Sequence, residues 1–113
     1  MKKFEKIKTY KEIKGITLAG KKHVLESFII YETSDLASQE MPYIGILISK
    51  KFGIAVKRNF AKRRILAMLN DLNLEGLKGK KITFIPRNKI LKIDYKKIAS
   101  EFRNALKESF KAV

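Results

Sequence analysis

Residues 43–64 read YIGILISKKFGIAVKRNFAKRR, and this stretch joins a predicted strand to a predicted helix. Its first part, Tyr43 to Ser49, is a nearly continuous apolar run, which is typical of a strand buried on both faces. Gly45 leaves room there for a close neighbour. From about Lys57 to Leu72 apolar residues recur at i, i+3 and i+4, which predicts a helix with one buried stripe. The stripe consists of Ala61, Ile65, Met68, Leu69 and Leu72.

The segment before this unit predicts one helix and one strand. Thr9 and Glu12 form a capping box, so a helix is expected from about Tyr10 to Ala19. Gly20 stands where a C′ glycine would end that helix. β-branched and aromatic residues then predict a strand over residues 22–33, with alternate side chains on opposite faces.

The segment after the unit predicts a third strand and a final helix. KITFI, at residues 81–85, reads as a strand that Pro86 closes. Asp94 is a good N-cap for the last helix. Its apolar face would contain Ile98, Phe102, Ala105, Leu106 and Phe110.

The predicted order is α-β-β-α-β-α, with a possible split of the first β segment into two strands. This order indicates the α+β class: a single-domain α/β sandwich in which helices pack on a small mixed sheet. A chain of 113 residues has room for one modest core, so residues 1–113 are assigned to one domain. The general rule for β-α-β units predicts a right-handed crossover from Tyr43 to Ile85.

The charge balance indicates a polyanionic partner. Lysine and arginine number 26 against 11 acidic residues, a formal net charge of +15. Repulsion between these positive charges opposes folding, so a negatively charged partner is expected to offset it. Nucleic acid is the first choice of partner, and an anionic membrane surface is the second. There is no apolar run of roughly 18 residues and no apolar signal-peptide core, so a cytoplasmic location without a membrane partner is expected.

The positive charge is concentrated in the stretch that decides the fold. Residues 41–70 contain no acidic side chain, and in the predicted helix Arg58 with Lys62 and Asn59 with Arg63 form two i, i+4 rows. Arginine offers phosphate a bidentate fork, lysine a point charge, and asparagine a neutral amide. The candidate RNA-binding residues are Lys50, Lys51, Lys57, Arg58, Asn59, Lys62, Arg63 and Arg64. The alternatives are a solvated cationic face and, more weakly, a nuclear-localisation signal.

The residues needed for protein-based catalysis are absent from the sequence. There is no cysteine, His23 is the single histidine, and the spacing of the acidic residues suggests no two-metal site. Glycine-rich phosphate loops and a Gly-x-Ser-x-Gly motif are also absent. We therefore assign no catalytic residue and no metal ligand to the protein, and no role to His23.

The stretch IGILISKKFGIAVKRNFAKRRI resembles the signature of the protein component of bacterial ribonuclease P. That signature is a strand ending in Ser-Lys-Lys, then Gly, Ala-Val, and an Arg-Asn helix followed by Lys-Arg. Weaker similarities extend over most of the chain, at Gly20-Lys21-Lys22, residues 28–31, Ile85-Pro86-Arg87 and Asp94-Tyr95.

The resemblance implies a small subunit of an endoribonuclease whose catalytic RNA removes the 5′ leader of precursor tRNA. It also implies Mg²⁺ held mainly by the RNA and no obligatory protein partner. It implies a left-handed β-α-β crossover from Tyr43 to Ile85. We prefer this hand to the right-handed crossover of the general rule because the motif is more specific than the rule. The Arg-Asn helix and the Ser-Lys-Lys turn would face the catalytic RNA. A cleft between the first helix and the sheet would hold the leader, and the residues carried over to it are Ile13, Thr17, Tyr31 and Arg87.

The sequence departs from this family pattern at four positions. Phe60 and Leu66 replace two arginines of the basic helix, and Ile13 and Thr17 replace two aromatic residues of the first helix. A non-catalytic structural RNA-binding protein, such as a ribosomal or ribosome-assembly protein, is the alternative function because it would need the same charge without the motif.

Overall fold

The computed structural model describes residues 2–34 and 40–111. Its strands are β1 (Glu5–Lys6), β2 (Lys21–Val24), β3 (Phe28–Ser34), β4 (Tyr43–Ile46) and β5 (Lys80–Pro86). Its helices are α1 (Tyr10–Ala19), α2 (Ala55–Asp71), α3 (Tyr95–Ala105) and α4 (Lys107–Lys111). Short 3₁₀ turns cover Lys50–Phe52, Glu75–Leu77 and Asn88–Leu91.

The strands form one mixed sheet in the order β1-β4-β5-β3-β2, which confirms the predicted α+β class. β4 runs parallel to both β1 and β5, whereas β3 is antiparallel to β5 and β2. β4 therefore has a hydrogen-bonded neighbour on each side. The left hand of the β4-α2-β5 crossover stays a prediction from the family resemblance.

The main core lies on one face of the sheet. Phe28 and Phe84 project from β3 and β5 and meet edge to face, with ring centroids 5.2 Å apart. Phe102 of α3 lies 5.2 Å from Phe84, so the helix closes an aromatic cluster. The predicted α2 stripe is confirmed: Ala61, Ile65, Met68 and Leu69 are buried in the same core, and Leu72 packs against it.

A second, smaller core lies on the opposite face, beneath α1. Ile13 and Ile16 of α1 join Ile7 there. Gly45 of β4 makes this packing possible, because an added Cβ would stand 3.0 Å from Cγ1 of Ile13. The predicted close neighbour of Gly45 is therefore Ile13.

The β segment predicted over residues 22–33 forms two strands, which is the split that the sequence left open. A turn separates β2 from β3, and the two strands pair with Val24 opposite Ile29. Contacts from distant residues hold this turn. The Glu101 carboxylate accepts from the backbone N–H and the hydroxyl of Ser27 (3.3 and 3.2 Å), and Arg87 donates to the carbonyl of Leu25 (2.9 Å).

The other strands also differ from their predicted bounds. β4 ends at Ile46 instead of Ser49, although the N–H of Leu47 still donates to the carbonyl of Phe84 (2.9 Å). β5 begins at Lys80 and includes Pro86. β1 was not predicted, because a two-residue strand shows no periodicity.

The helix bounds agree with the prediction except at the start of α2 and in the last helix. Thr9 accepts from the N–H of Glu12 (3.3 Å) and Asp94 from that of Lys96 (3.4 Å), which confirms both N-caps. α2 begins at Ala55, two residues before the predicted start. The prediction of a single last helix was wrong. The chain leaves helical geometry at Leu106, whose side chain is buried in the core, and a new helix, α4, begins at Lys107.

Gly20 ends α1 for a reason other than the predicted one. Its φ of −83° is available to any residue, so no left-handed cap is formed. Glycine is required by space, since a Cβ would stand 2.6 Å from the carbonyl oxygen of Ile16 and 2.9 Å from that of Glu32.

A tyrosine–aspartate hydrogen bond connects the end of α2 to the start of α3. The Tyr95 hydroxyl donates to Oδ2 of Asp71 at 2.6 Å. Burial of the phenol, together with this carboxylate, raises the pKa of Tyr95 from 10.0 to about 12. Both effects favour the neutral phenol.

This raised pKa predicts a loss of stability in alkali. Below pH 10.0 the phenol is protonated in the folded and unfolded states, so its contribution is fully present. Between pH 10.0 and about 12 only the unfolded state ionises, so the contribution is lost as pH rises through the folded pKa. The difference in Tm between the wild type and Tyr95→Phe should be constant below pH 10.0 and shrink above it. Asp71→Asn should move that loss to lower pH, and a difference independent of pH would contradict the assignment.

Candidate nucleic-acid interface

The outward face of α2 is set by its buried stripe. Because Ala61 and Ile65 point into the core, the residues half a turn away must face solvent. Asn59, Lys62 and Arg63 are all exposed. The structure thus brings the predicted basic rows together on one helix surface.

Arg58 is half-buried and connects the helix to the preceding turn. Its guanidinium donates to the carbonyl of Gly53 at 2.7 Å. Gly53 has φ 153° and ψ −170°, a conformation that side chains rarely permit. Lys50 and Lys51 lie exposed in the 3₁₀ turn just before it. The Ser-Lys-Lys turn is therefore fixed beside the first turn of α2.

Arg64 is also committed to the fold. Its guanidinium donates to the carbonyl of Ile90 at 2.7 Å and lies 5.6 Å from the ring of Phe60. The sequence gives no sign of this hydrogen bond, because the carbonyl that Arg64 binds is 26 residues away. The remaining N–H groups of the guanidinium can still act as donors.

The basic residues of this surface have no acidic partners within the part of the chain that the structure describes. The ion pairs there involve Glu5, Glu26, Glu32 and Glu75, which bind lysines elsewhere or His23. Lys50, Lys51, Lys57, Lys62 and Arg63 take part in none of these pairs. The cluster therefore presents an uncompensated positive field.

This charge pattern opposes the dipole of α2. The first turn contains Lys57 and no acid, the last turn contains no base, and Ile54 at the N-cap offers no side-chain hydrogen bond. Each cation near a helix N-terminus costs roughly 0.3–1 kcal/mol at low salt. Lys3 supplies the missing cation at the other end, where it donates to the carbonyls of Asn70 and Leu72. The basic face is thus not explained by helix stability.

The four residues expected to form a leader cleft do not all meet. Ile13 is buried in the smaller core, and Tyr31 packs against that core. Thr17 is half-buried, and its hydroxyl donates to the carbonyl of Lys14 at 2.8 Å. Tyr31 pairs with Thr83 of β5, and Arg87 lies four residues further on, roughly 13 Å along the strand. Arg87 therefore lies at the far end of the same sheet face.

A groove of about 560 Å³ lies beside Arg87, between the loops that follow β4 and β5. The two strands are parallel, so their carboxyl ends meet at one edge of the sheet. Asn88 and Lys89 are not among the predicted site residues, although their position directly after a predicted strand is a usable signal. The polar residues of the groove are Ser49, Lys51, Arg87, Asn88 and Lys89.

The described residues contain no group of three histidine, cysteine or acidic side chains that could hold a metal ion. His23 lies 3.3 Å from Oε1 of Glu32, whose other oxygen faces Lys80 at 3.5 Å, so both oxygens of this carboxylate already have partners. The donors on the basic surface are cationic and do not fit a metal. Within the described ranges, no helix is both long and apolar enough to cross a membrane.

Comparison with known proteins extends the local similarity to the whole chain. The family model described as Ribonuclease P matches residues 1–109. The ribonuclease P protein component of Bacillus cereus (strain 03BB102) is 32% identical over 111 residues, covering 96% of this chain and 94% of the relative. That of Bacillus anthracis (strain CDC 684 / NRRL 3495) is also 32% identical, covering 96% and 91%.

Solved structures show the same architecture. The RNase P protein of Staphylococcus aureus has a TM-score of 0.74 and 25% identity, over 92% of this chain and 94% of the other. The RNase P protein of Thermotoga maritima has the same score and identity, over 92% and 96%. The fold, the basic helix and the whole-chain match agree: this chain belongs to the ribonuclease P protein family, the protein subunits of the endoribonuclease that matures the 5′ ends of tRNA.

Proposed function

We propose that α2 and the Ser49–Phe52 turn bind the catalytic RNA of ribonuclease P, and that this binding assists leader removal from precursor tRNA. The observation that carries the proposal is the outward face of α2, where basic side chains stand without acidic partners. These cations lower the stability of the helix, so their presence is best explained by a negatively charged partner that neutralises them. The family match disfavours the ribosomal alternative.

Different types of side chain make different kinds of contact in this proposal. The proposed contacts are Lys50, Lys51, Lys57, Arg58, Asn59, Lys62, Arg63 and Arg64. The lysines act as point charges on phosphates, and the exposed Arg63 offers a bidentate fork. Arg58 and Arg64 have one donor each committed to backbone carbonyls, which holds their guanidinium groups in place.

The leader is proposed to cross the sheet face from α1 towards the groove. Tyr31 would contact it first, with the Lys22 ammonium 5.9 Å from the Tyr31 ring centroid. The half-buried Thr17 would line the α1 side of this path, and Ile13 would act from the small core, against which Tyr31 packs. Arg87 stands at the exposed end of the path, beside the groove. Single-stranded nucleic acid is bound by this combination of aromatic platforms and a basic track.

We assign the reaction's metal chemistry to the RNA. Mg²⁺ would supply activation of the attacking water and stabilisation of the leaving oxygen. The protein's own contribution is to neutralise phosphates, which lets RNA segments approach one another at lower Mg²⁺. We further propose that the enzyme acts in the cytoplasm, without a membrane and without an obligatory protein partner.

Reconstitution tests this function directly. The chain is mixed with the ribonuclease P RNA of the same organism and a precursor tRNA that carries a 5′ leader, at limiting Mg²⁺. The expected result is faster leader release than with RNA alone, and no cleavage by the chain alone. An unchanged rate would contradict the proposed function.

Lys62→Gln should weaken binding to the ribonuclease P RNA and reduce its dependence on salt. Losing one phosphate contact lowers the slope of log affinity against log salt by about 0.7 to 0.9. Lys96→Gln is the matched control, because Lys96 is exposed on α3 rather than α2. Equal slopes for wild type and Lys62→Gln would mean that this side chain faces solvent in the complex.

Lys57→Gln should shift stability and RNA binding in opposite directions. Removing a cation from the first turn of α2 relieves the unfavourable dipole interaction, so the free energy of unfolding should rise by roughly 0.3–1 kcal/mol at low salt. RNA affinity should fall. Lys62→Gln serves as the mid-helix control, with a smaller gain in stability in thermal unfolding. A lower free energy of unfolding in Lys57→Gln would contradict the explanation that Lys57 costs helix stability and is kept for RNA binding.

A further inference from the structure

Phe60 is an aromatic side chain on the outward surface of the most basic helix. It is 48% exposed, although a free phenyl ring gains by burial. Val56, one turn earlier on the same side, is 73% exposed. Together they form a small apolar area on the helix surface.

One side of the Phe60 ring is supported by a fixed cation. The guanidinium carbon of Arg64 lies 5.6 Å from the ring centroid, a cation–π arrangement. Arg64 is itself held by the carbonyl of Ile90 in the 3₁₀ turn after β5. The ring is therefore positioned by a contact outside its own helix, while about half of its surface stays open.

The surroundings of the ring identify the chemistry of its partner. Lys57 lies three residues before Phe60 and Arg63 three residues after it, so both are its neighbours on the helix surface. A partner must offer a flat apolar surface to the ring and negative charge to these cations. An unpaired nucleotide does both, with its base on Phe60 and its phosphate beside Lys57 or Arg63.

Other partners fit this surface less well. A second copy of the chain would bring a like-charged face, since the net charge is +15. A lipid surface requires a broad apolar face, but the exposed polar residues Asn59 and Arg63 adjoin this small area on α2.

We propose that Phe60, backed by Arg64, is a stacking platform for one unpaired base of the ribonuclease P RNA. This inference rests on the proposed function, since α2 must face that RNA. It assigns to Phe60 a role different from the phosphate contacts around it. The stack would contribute affinity that does not depend on salt, because no counterion is released by an uncharged ring.

Truncation of the ring distinguishes stacking from charge. Phe60→Leu should weaken binding to the ribonuclease P RNA by about five- to one-hundred-fold, the effect of losing one base–aromatic stack, with the salt slope unchanged. Phe60→Tyr should retain wild-type affinity. Leu18→Ala is the control, because Leu18 is an exposed apolar residue on α1. Circular dichroism of each variant establishes that it is folded.

A fluorescent variant provides a direct readout of stacking. The chain contains no tryptophan, so Phe60→Trp introduces a single indole. Binding of the ribonuclease P RNA should quench its emission, whereas Leu18→Trp should change little.

The outcomes separate this proposal from the proposed function. Binding of the RNA by the wild type, together with weaker binding by Lys62→Gln, supports the proposed function. If Phe60→Leu then binds the RNA as tightly as the wild type, or the emission of Phe60→Trp is not quenched, only the stacking proposal is refuted. If wild type does not bind the RNA, both proposals fail. If Phe60→Leu instead abolishes self-association with RNA affinity unchanged, the partner is a second copy and the nucleotide assignment is wrong.

Discussion

The packing of the α2 apolar stripe in the main core is the constraint on which the basic surface depends. Ile65 and Met68 are fully buried in the core that contains Ile82 and Phe84 of β5. A helix has a fixed periodicity, so burial of this stripe leaves no freedom in where the remaining residues point. The same interaction that stabilises the fold therefore assembles the cations that are proposed to bind the RNA.

This arrangement creates an electrostatic conflict that the fold only partly relieves. Cations accumulate at the positive end of the helix dipole and carry no counter-charges among the described acidic residues. The N-terminal segment compensates at the other end, where Lys3 binds the last carbonyls of α2. The proposed contact with the RNA would remove the rest of the conflict. Binding surfaces of this kind are stable enough to fold and more stable when occupied.

The loops beside α2 show how long-range contacts position functional groups. Arg58 holds the Ser-Lys-Lys turn through Gly53, and Arg64 connects the helix to the turn after β5. Glu101 and Arg87 fix the hairpin turn that separates β2 from β3. Three of these contacts join a loop to a helix, and the fourth, from Arg87 to Leu25, joins two loops.

The sequence by itself determined the features that depend on near neighbours. The α2 stripe, the Thr9 and Asp94 caps and the close approach at Gly45 were predicted because each follows from helix periodicity, capping chemistry or the absence of a Cβ. The family was indicated by one motif of consecutive residues. Only the tertiary structure decided that Arg64 supports Phe60, that Lys3 caps α2, that Ile13 is buried rather than exposed in a cleft, and that the last helix breaks at Leu106. These outcomes depend on atoms brought together from distant parts of the chain, and no local pattern contains that information.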